Sequence, residues 1–176
     1  GQDRRLKYLQ LDDLKTLLHY TEYHARINAM YCYMIATGIL TGARFSEVAA
    51  LQWPDVDLSS RVIHINKSWD YSYGTGFKPT KTATSVRDVD IPGELANLLR
   101  QLKQEQAEWY LKKGYRDPKN MVFRNARFLI PGDGTINRSL RGLQRQLNIS
   151  PTVTFHGLRH THVSYLISRG VDIYYI

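Results

Sequence analysis

The apolar residues of this chain change from a helical spacing to a strand spacing and back again, and this change restricts its fold most. Leu14, Leu17 and Leu18 recur at helical spacing near the start. Residues 85–91 alternate between apolar and polar, and the run over 62–69 is rich in strand-forming side chains, so both segments predict strands. Helical spacing returns over 93–113, 137–147 and 156–168. The pattern predicts an α+β fold, mainly helical, with a small antiparallel β-sheet.

Glycine and proline mark the predicted ends of several helices. A second helix is predicted from about residue 26 to 37, with Gly38 ending it, and a short helix over 44–51 stops before Pro54. Residues 170–172 predict a helix stop and a new helix start, inside which the chain ends. A length of 176 residues with 43% hydrophobic content suits one domain, and the abrupt ends are expected to mark an excised fragment.

The charge of the chain favours a polyanionic partner. Its net charge is +8 and its pI is about 9.6, which is compatible with nucleic-acid binding without requiring it. Residues 134–171 contain arginines and histidines but no Asp or Glu. A solvated basic face is the ordinary explanation, but the lack of any compensating acid favours a surface that faces phosphates. The predicted DNA-binding residues are Arg138, Arg141, Arg145, His160 and His162.

The single cysteine and the short apolar runs exclude several classes of protein. Cys32 is alone, so an intramolecular disulfide and a thiolate zinc cluster are both excluded, and a buried, inert thiol is expected. No apolar run reaches the length of about 20 residues that spans a bilayer, and no signal peptide is apparent. A cytoplasmic protein without a membrane partner is expected.

Arg44 is the first candidate for chemistry. It follows the glycine turn in Thr41-Gly42-Ala43 and begins the short helix, so its side chain can be held rigidly and aimed at an anion. Glu47, three residues later, could support it. An ordinary ion pair on one helix face would explain the same spacing.

A lysine between the two predicted strands is the second candidate. Lys78 and Lys81 lie in the segment Lys78-Pro79-Thr80-Lys81-Thr82-Ala83. A lysine at a hairpin tip can reach into a groove, and burial beside arginines would lower its pKa until it can donate a proton to a leaving oxygen. A solvated loop lysine is the alternative.

The third candidate is the segment from Thr154 to His162. His156 and Arg159 share one face of the predicted helix, where the histidine could transfer a proton and the arginine could hold a phosphate. Three histidines in seven residues also suggest a metal site, but carboxylate and thiolate ligands are missing from this stretch, so no metal is expected.

Taken together, these segments resemble the catalytic signature of tyrosine recombinases, above all the integrases of temperate phages and integrative elements. The matching strings are TGARFSEVAALQWPDVD and HGLRHTH, with KPTKT between them, in the expected order along nearly the whole chain. The resemblance makes Arg44 the first catalytic arginine, Lys81 the hairpin lysine, and His156 and Arg159 the pair of the last motif. Glu47 matches a supporting acidic position.

The resemblance also implies a reaction. A tyrosine hydroxyl attacks a DNA phosphodiester and forms a 3′-phosphotyrosine link, while two arginines stabilise the phosphorane, Lys81 protonates the 5′-oxygen and His156 assists proton transfer. No cofactor is expected, because the phosphotyrosine bond retains the energy of the phosphodiester. The implied partner is double-stranded DNA, bound by a tetramer of the full-length protein.

The nucleophilic tyrosine is expected beyond Ile176, and the family's N-terminal DNA-clamping domain is expected to be absent from this single catalytic domain. Tyr165, Tyr174 and Tyr175 lie too early and are expected to pack instead, so the fragment alone should be inactive and bind DNA weakly. A non-enzymatic DNA-binding module and a topoisomerase-like nicking enzyme are the alternative functions. The complete set of four catalytic residues argues against the first of these.

Overall fold

The computed structural model describes residues 8–70, 76–79 and 85–170, and within them the chain forms six α-helices and five short strands. The helices are α1 Leu11–His24, α2 Met30–Thr41, α3 Phe45–Ala49, α4 Gly93–Lys113, α5 Asp133–Gln146 and α6 Phe155–Ser168. The strands are β1 Val56–Asp57, β2 Val62–Ile65, β3 Ser68–Asp70, β4 Gly76–Lys78 and β5 Arg87–Asp90. The predicted mainly helical α+β fold with a small antiparallel sheet is confirmed. No helix in these ranges is long and apolar enough to cross a membrane.

Helix α2 is the centre of the hydrophobic core. All of its residues except Tyr31 are buried, and α1, α3, α4, α5 and α6 pack around it. A helix can be buried on every side when, like this one, it has no charged residue and satisfies its own backbone hydrogen bonds. Cys32 lies within it, and burial raises the pKa of its thiol to about 11, so the prediction of a buried, unreactive cysteine is confirmed.

Helix α2 ends at Thr41 with Gly42 as its C-cap, and the prediction that Gly38 ends this helix is wrong. Gly38 lies inside the helix, and the ring of Phe155 packs against it so closely that a Cβ atom there would be 2.5 Å from the ring's Cζ. Gly42 has φ +70°, a left-handed conformation that glycine adopts readily, and its N–H donates to the carbonyl of Gly38. This turn directs the chain into Arg44 and α3.

The strands form two antiparallel sheets. The first has the order β1-β2-β5, and β2 pairs with β5 in a register that sets Ile65 opposite Arg87. The second consists of β3 and β4. The strand predicted over 62–69 is interrupted because Asn66 and Lys67 turn their side chains to Asp55, with Lys67 Nζ 2.6 Å from Asp55 Oδ2.

The last two helices present a buried face to the core and a basic face to solvent. Helix α4 has the predicted bounds, whereas α5 begins four residues earlier than predicted, at Asp133, and α6 begins at Phe155. In α5, Ile136, Leu140 and Leu143 are buried. The loop from α5 to α6 is fixed by the buried Gln144, which both donates to and accepts from the backbone of Val153. This loop places the first turn of α6 beside α5.

Candidate active site

Arg44 occupies the N-cap position of α3. Its backbone N–H donates to Glu47 Oε1 over 2.9 Å, so the carboxylate takes up one of the amide donors that every helix N-terminus leaves free. Its guanidinium is farther away, with Nη1 3.7 Å from the same oxygen, and its side chain is 34% exposed. The predicted Arg44–Glu47 pair therefore exists, but its hydrogen bond is made by the backbone, and the guanidinium remains accessible.

The carboxylate of Glu47 is bound by a second arginine, Arg87 at the start of β5. Arg87 Nη1 donates to Oε2 over 3.1 Å and Nη2 donates to Oε1 over 3.2 Å, so the contact is bidentate. The Glu47 side chain that accepts both hydrogen bonds is only 1% exposed. Nη1 also donates to the carbonyl of Ser85 over 2.6 Å. This pairing supplies the charge and the hydrogen bonds that a buried carboxylate requires.

Arg87 is not among the site residues predicted from the sequence, although its place in the strand pattern marks it. Residues 87, 89 and 91 point to one side of the strand, and Val89 and Ile91 are the apolar members of that side. An arginine on the apolar face of a strand requires a buried anion as its partner. The pattern could therefore have shown that Arg87 faces inward.

Arg159 brings a third guanidinium to the cluster, from the first half of α6. It is half-buried, and burial lowers its pKa; the positive charges of Arg44 and Arg87 act in the same direction, while Glu47 opposes them. Three positive charges around one carboxylate leave an excess of positive charge in a partly water-excluded position. Such a cluster favours a phosphate group, because the guanidiniums of Arg44 and Arg159 can each donate two hydrogen bonds to its oxygens, while that of Arg87 is bound to Glu47.

His156 lies one helical turn before Arg159 and is exposed. It borders a cavity of about 340 Å³ between the two basic helices, whose wall also includes Asn137, Arg141 and His160. The rings of His156 and His160 lie 5.7 Å apart at 89° to each other. The structure thus brings Arg44, Arg159 and Glu47 together and sets His156 on the same helix as Arg159, at the mouth of a basic cavity.

Comparison with known proteins identifies the family. A sequence model of the phage integrase family matches residues 7–176. This chain belongs to the phage integrase family. It is 32% identical over 156 residues to the integrase of Staphylococcus phage L54a, a match that covers 86% of this chain and 44% of the relative. It is 31% identical over 134 residues to the ICEBs1 integrase of Bacillus subtilis (strain 168), which covers 76% of this chain and 36% of the relative.

Solved structures agree with the fold of this phage integrase chain. The integrase of transposon Tn1549 in complex with circular intermediate DNA superposes with a TM-score of 0.76 at 19% identity, covering 98% of this chain and 57% of that one. The XerA recombinase superposes with a TM-score of 0.67 at 25% identity, covering 96% of this chain and 53% of that one. The chain therefore spans less than half the length of the two relatives named above and little more than half of these structures.

His162 does not join His156 and His160 on the surface of this integrase domain. It is 8% exposed, its Nδ1 lies 2.8 Å from the carbonyl oxygen of Ile39, and its ring packs beneath Gly42. The expectation that His162 contacts DNA does not fit this burial, because α6 turns this side chain toward α2. His162 instead supports the turn that precedes Arg44.

The three predicted DNA-binding arginines share one exposed face. Arg138, Arg141 and Arg145 follow one another at spacings of three and four residues on α5, opposite the buried leucines. Arg169, by contrast, donates to Glu94 over 2.8 Å and is paired. The basic face of this integrase domain is therefore formed by α5 and the first turns of α6.

Several predicted residues lie outside the described ranges. Lys81, Tyr174 and Tyr175 are among them, and so is the predicted helix start after Gly170. Lys78, the alternative to Lys81, ends β4 and is exposed. Tyr165 is 8% exposed and its hydroxyl accepts a hydrogen bond from Arg169 Nε, so the prediction that it packs within α6 is confirmed.

Proposed function

We propose that this chain is the catalytic domain of a site-specific DNA recombinase, which cleaves and rejoins double-stranded DNA through a 3′-phosphotyrosine intermediate. The enzyme would serve the integration or excision of a phage or mobile element. The observation that carries this function is the positive charge of Arg44 and Arg159 beside Glu47, whose carboxylate is already bound by Arg87, since this charge favours a phosphate.

The roles follow from the position of each group. Arg44 and Arg159 would stabilise the negative charge that develops on the phosphorane, because their guanidiniums converge from α3 and α6 before substrate binds. His156, exposed one turn away, would hold or transfer a proton at the attacking oxygen. Lys81 would protonate the departing 5′-oxygen. Tyr165 is buried and hydrogen-bonded, so it would not be the nucleophile. As the family resemblance implies, that role would fall to a tyrosine of the full-length protein that follows residue 176.

Double-stranded DNA would lie along the face of Arg138, Arg141 and Arg145, with His160 and the cavity beside α6 next to it. These side chains would contact phosphates, so they would hold the DNA with little sequence selectivity. The Tn1549 integrase and the XerH recombinase, which share this fold, were solved in complexes with DNA. We expect the full-length protein to assemble as a tetramer on DNA in the cytoplasm, without metal or cofactor.

The proposed activity can be tested by trapping the covalent intermediate. The full-length protein that contains this domain would be incubated with a nicked suicide duplex carrying its attachment site and resolved on a denaturing gel. We expect a protein–DNA adduct, and Arg44→Ala and Arg159→Ala should each reduce its yield by roughly a hundredfold or more, as for other losses of a transition-state donor.

Arg100→Ala is the matched control, because the Arg100 guanidinium is exposed on α4 and donates to Asn97 and to the carbonyl of Leu58, away from the arginine cluster. It should leave the yield unchanged. If no adduct forms, or if the two active-site variants cleave as well as the Arg100 variant does, the proposed function is wrong.

A further inference from the structure

Arg87 contributes to the site without a role in the proposed mechanism. We propose that Arg87 is a positioning residue that occupies the carboxylate of Glu47 and thereby leaves the guanidinium of Arg44 free for the DNA phosphate. This inference rests on the proposed function, since it concerns the availability of Arg44 for the same phosphate.

The hydrogen bonds of Glu47 are complete without the Arg44 side chain. Its Oε1 accepts from the Arg44 backbone N–H and from Arg87 Nη2, and its Oε2 accepts from Arg87 Nη1. The Arg44 guanidinium stands at 3.7 Å from Oε1, beyond hydrogen-bonding distance. The carboxylate therefore fixes the backbone of Arg44 and receives its side-chain hydrogen bonds from Arg87, while the Arg44 guanidinium stays at ion-pair distance without a hydrogen bond.

Removing Arg87 would leave a buried carboxylate without its cation. Glu47 is 2% exposed, so water cannot replace the lost contacts, and an unpaired buried charge attracts any cation within reach. The Arg44 guanidinium needs to move by only about an ångström to make that contact. A guanidinium drawn inward in this way would be misplaced for a phosphate outside, and misplacement of this size costs about a hundredfold in rate.

The forked shape of arginine matters at this position. Arg87 contacts both carboxylate oxygens and also donates to the Ser85 carbonyl, which fixes its guanidinium at the start of β5. A lysine ammonium is a single point of charge that would satisfy one carboxylate oxygen and leave the other open to Arg44. Charge alone at position 87 is therefore insufficient, and Arg87→Lys should be only a partial replacement.

The test compares single-turnover cleavage of the suicide duplex by the full-length protein and its variants, at saturating DNA. Arg87→Met should lower the cleavage rate by about tenfold to a hundredfold while the affinity for DNA changes by less than about threefold, because the phosphate contacts of α5 remain. Arg87→Lys should lie between Arg87→Met and the wild type.

Combining Arg87→Met with Glu47→Gln distinguishes positioning from simple structural support. The side-chain amide introduced by Glu47→Gln can still accept the Arg44 backbone N–H, but it carries no charge to attract the Arg44 guanidinium. The double variant should therefore cleave faster than Arg87→Met alone. A purely structural role would make the double variant as slow as the single one, or slower.

Arg124→Met is the matched control for loss of a buried ion pair. Arg124 Nε lies 2.6 Å from Asp117 Oδ2, with side chains that are 15% and 4% exposed, in the connection after α4. This variant should lose thermal stability and keep its cleavage rate per folded molecule, as judged from the circular dichroism of each preparation.

The outcomes separate the two proposals. If the wild type forms no adduct, the proposed function fails. If the wild type cleaves and Arg87→Met matches it, or if the double variant recovers nothing, only the role of Arg87 is overturned. If Arg87→Met does not fold, Arg87→Lys tests the role of Arg87 instead. A cleavage rate of Arg87→Lys equal to that of the wild type would contradict the requirement for a guanidinium that contacts both oxygens of Glu47.

Discussion

His162 is a titratable side chain in the interior, beneath the turn that leads to Arg44. Burial lowers its pKa below the usual 6.5, so the folded protein favours the neutral imidazole. Above the unfolded pKa both states are neutral and His162 does not change the stability. As the pH falls below 6.5, the unfolded chain takes up a proton that the folded chain resists, so the free energy of unfolding decreases until the folded pKa is passed.

His162→Asn should remove this part of the pH dependence, because the amide can still donate to Ile39 but cannot take up the proton. We expect the thermal midpoint of the wild type to fall more steeply than that of the variant between about pH 7 and pH 5. His160→Asn, at an exposed position on the same helix, should follow the wild type. The thermal midpoints are measured by circular dichroism at each pH. If they fall equally with pH for the wild type and His162→Asn, the burial of His162 does not make the stability depend on pH.

At the level of single residues, the motifs locate most of the site but cannot assign directions to the side chains. Arg44, Glu47 and Arg159 are predicted from motifs and do converge. The expectation that His162 contacts DNA does not fit its burial, because a run of basic residues does not reveal which side of a helix is buried. Arg87 is not predicted because its partner lies forty residues away in the sequence, and only the folded chain brings the start of β5 within reach of Glu47 on α3.

At the level of elements, periodicity locates the helices but misplaces those ends that depend on contacts between helices. Helix α4 has its predicted bounds because a proline at the N-cap and Gly114, with φ +64°, mark both ends locally. Helix α2 continues past Gly38 because that glycine accommodates the ring of Phe155 from α6. A glycine that permits close packing and one that ends a helix look the same in the sequence.

Two glycine-to-alanine variants can separate these roles. Gly38→Ala should destabilise the domain, since a Cβ atom 2.5 Å from Phe155 Cζ causes overpacking that costs about 1–3 kcal/mol, against about 1 kcal/mol gained in helix propensity. Gly142→Ala in α5 should stabilise it by about 0.5–1 kcal/mol, because nothing lies within 4 Å of the new methyl group. Urea denaturation measures both changes, and a stabilising Gly38→Ala would contradict the packing of α2 against α6.

At the level of the whole molecule, charge is distributed unevenly, and this should determine how the domain binds DNA. Arg138, Arg141 and Arg145 extend along one exposed face of α5, beside the cavity at α6. Lysines and an arginine at the end of α4, namely Lys112, Lys113 and Arg116, form a second exposed group of the same charge. The two groups carry the same net charge, but the first lies next to the candidate active site, and we therefore expect DNA to lie along it.

Replacing either group by three alanines removes the same charge, so the pair of variants tests position separately from charge. For the 176-residue domain and a fluorescent duplex, each phosphate contact that is lost should reduce the slope of log affinity against log salt by about 0.9. The α5 variant should therefore show a slope shallower by roughly 2–3. The α4 variant should lose some affinity, because its long-range attraction to DNA is weaker, but it should keep its slope. Fluorescence anisotropy at several salt concentrations measures both, and equal slopes for the two variants would mean that the DNA does not lie along α5.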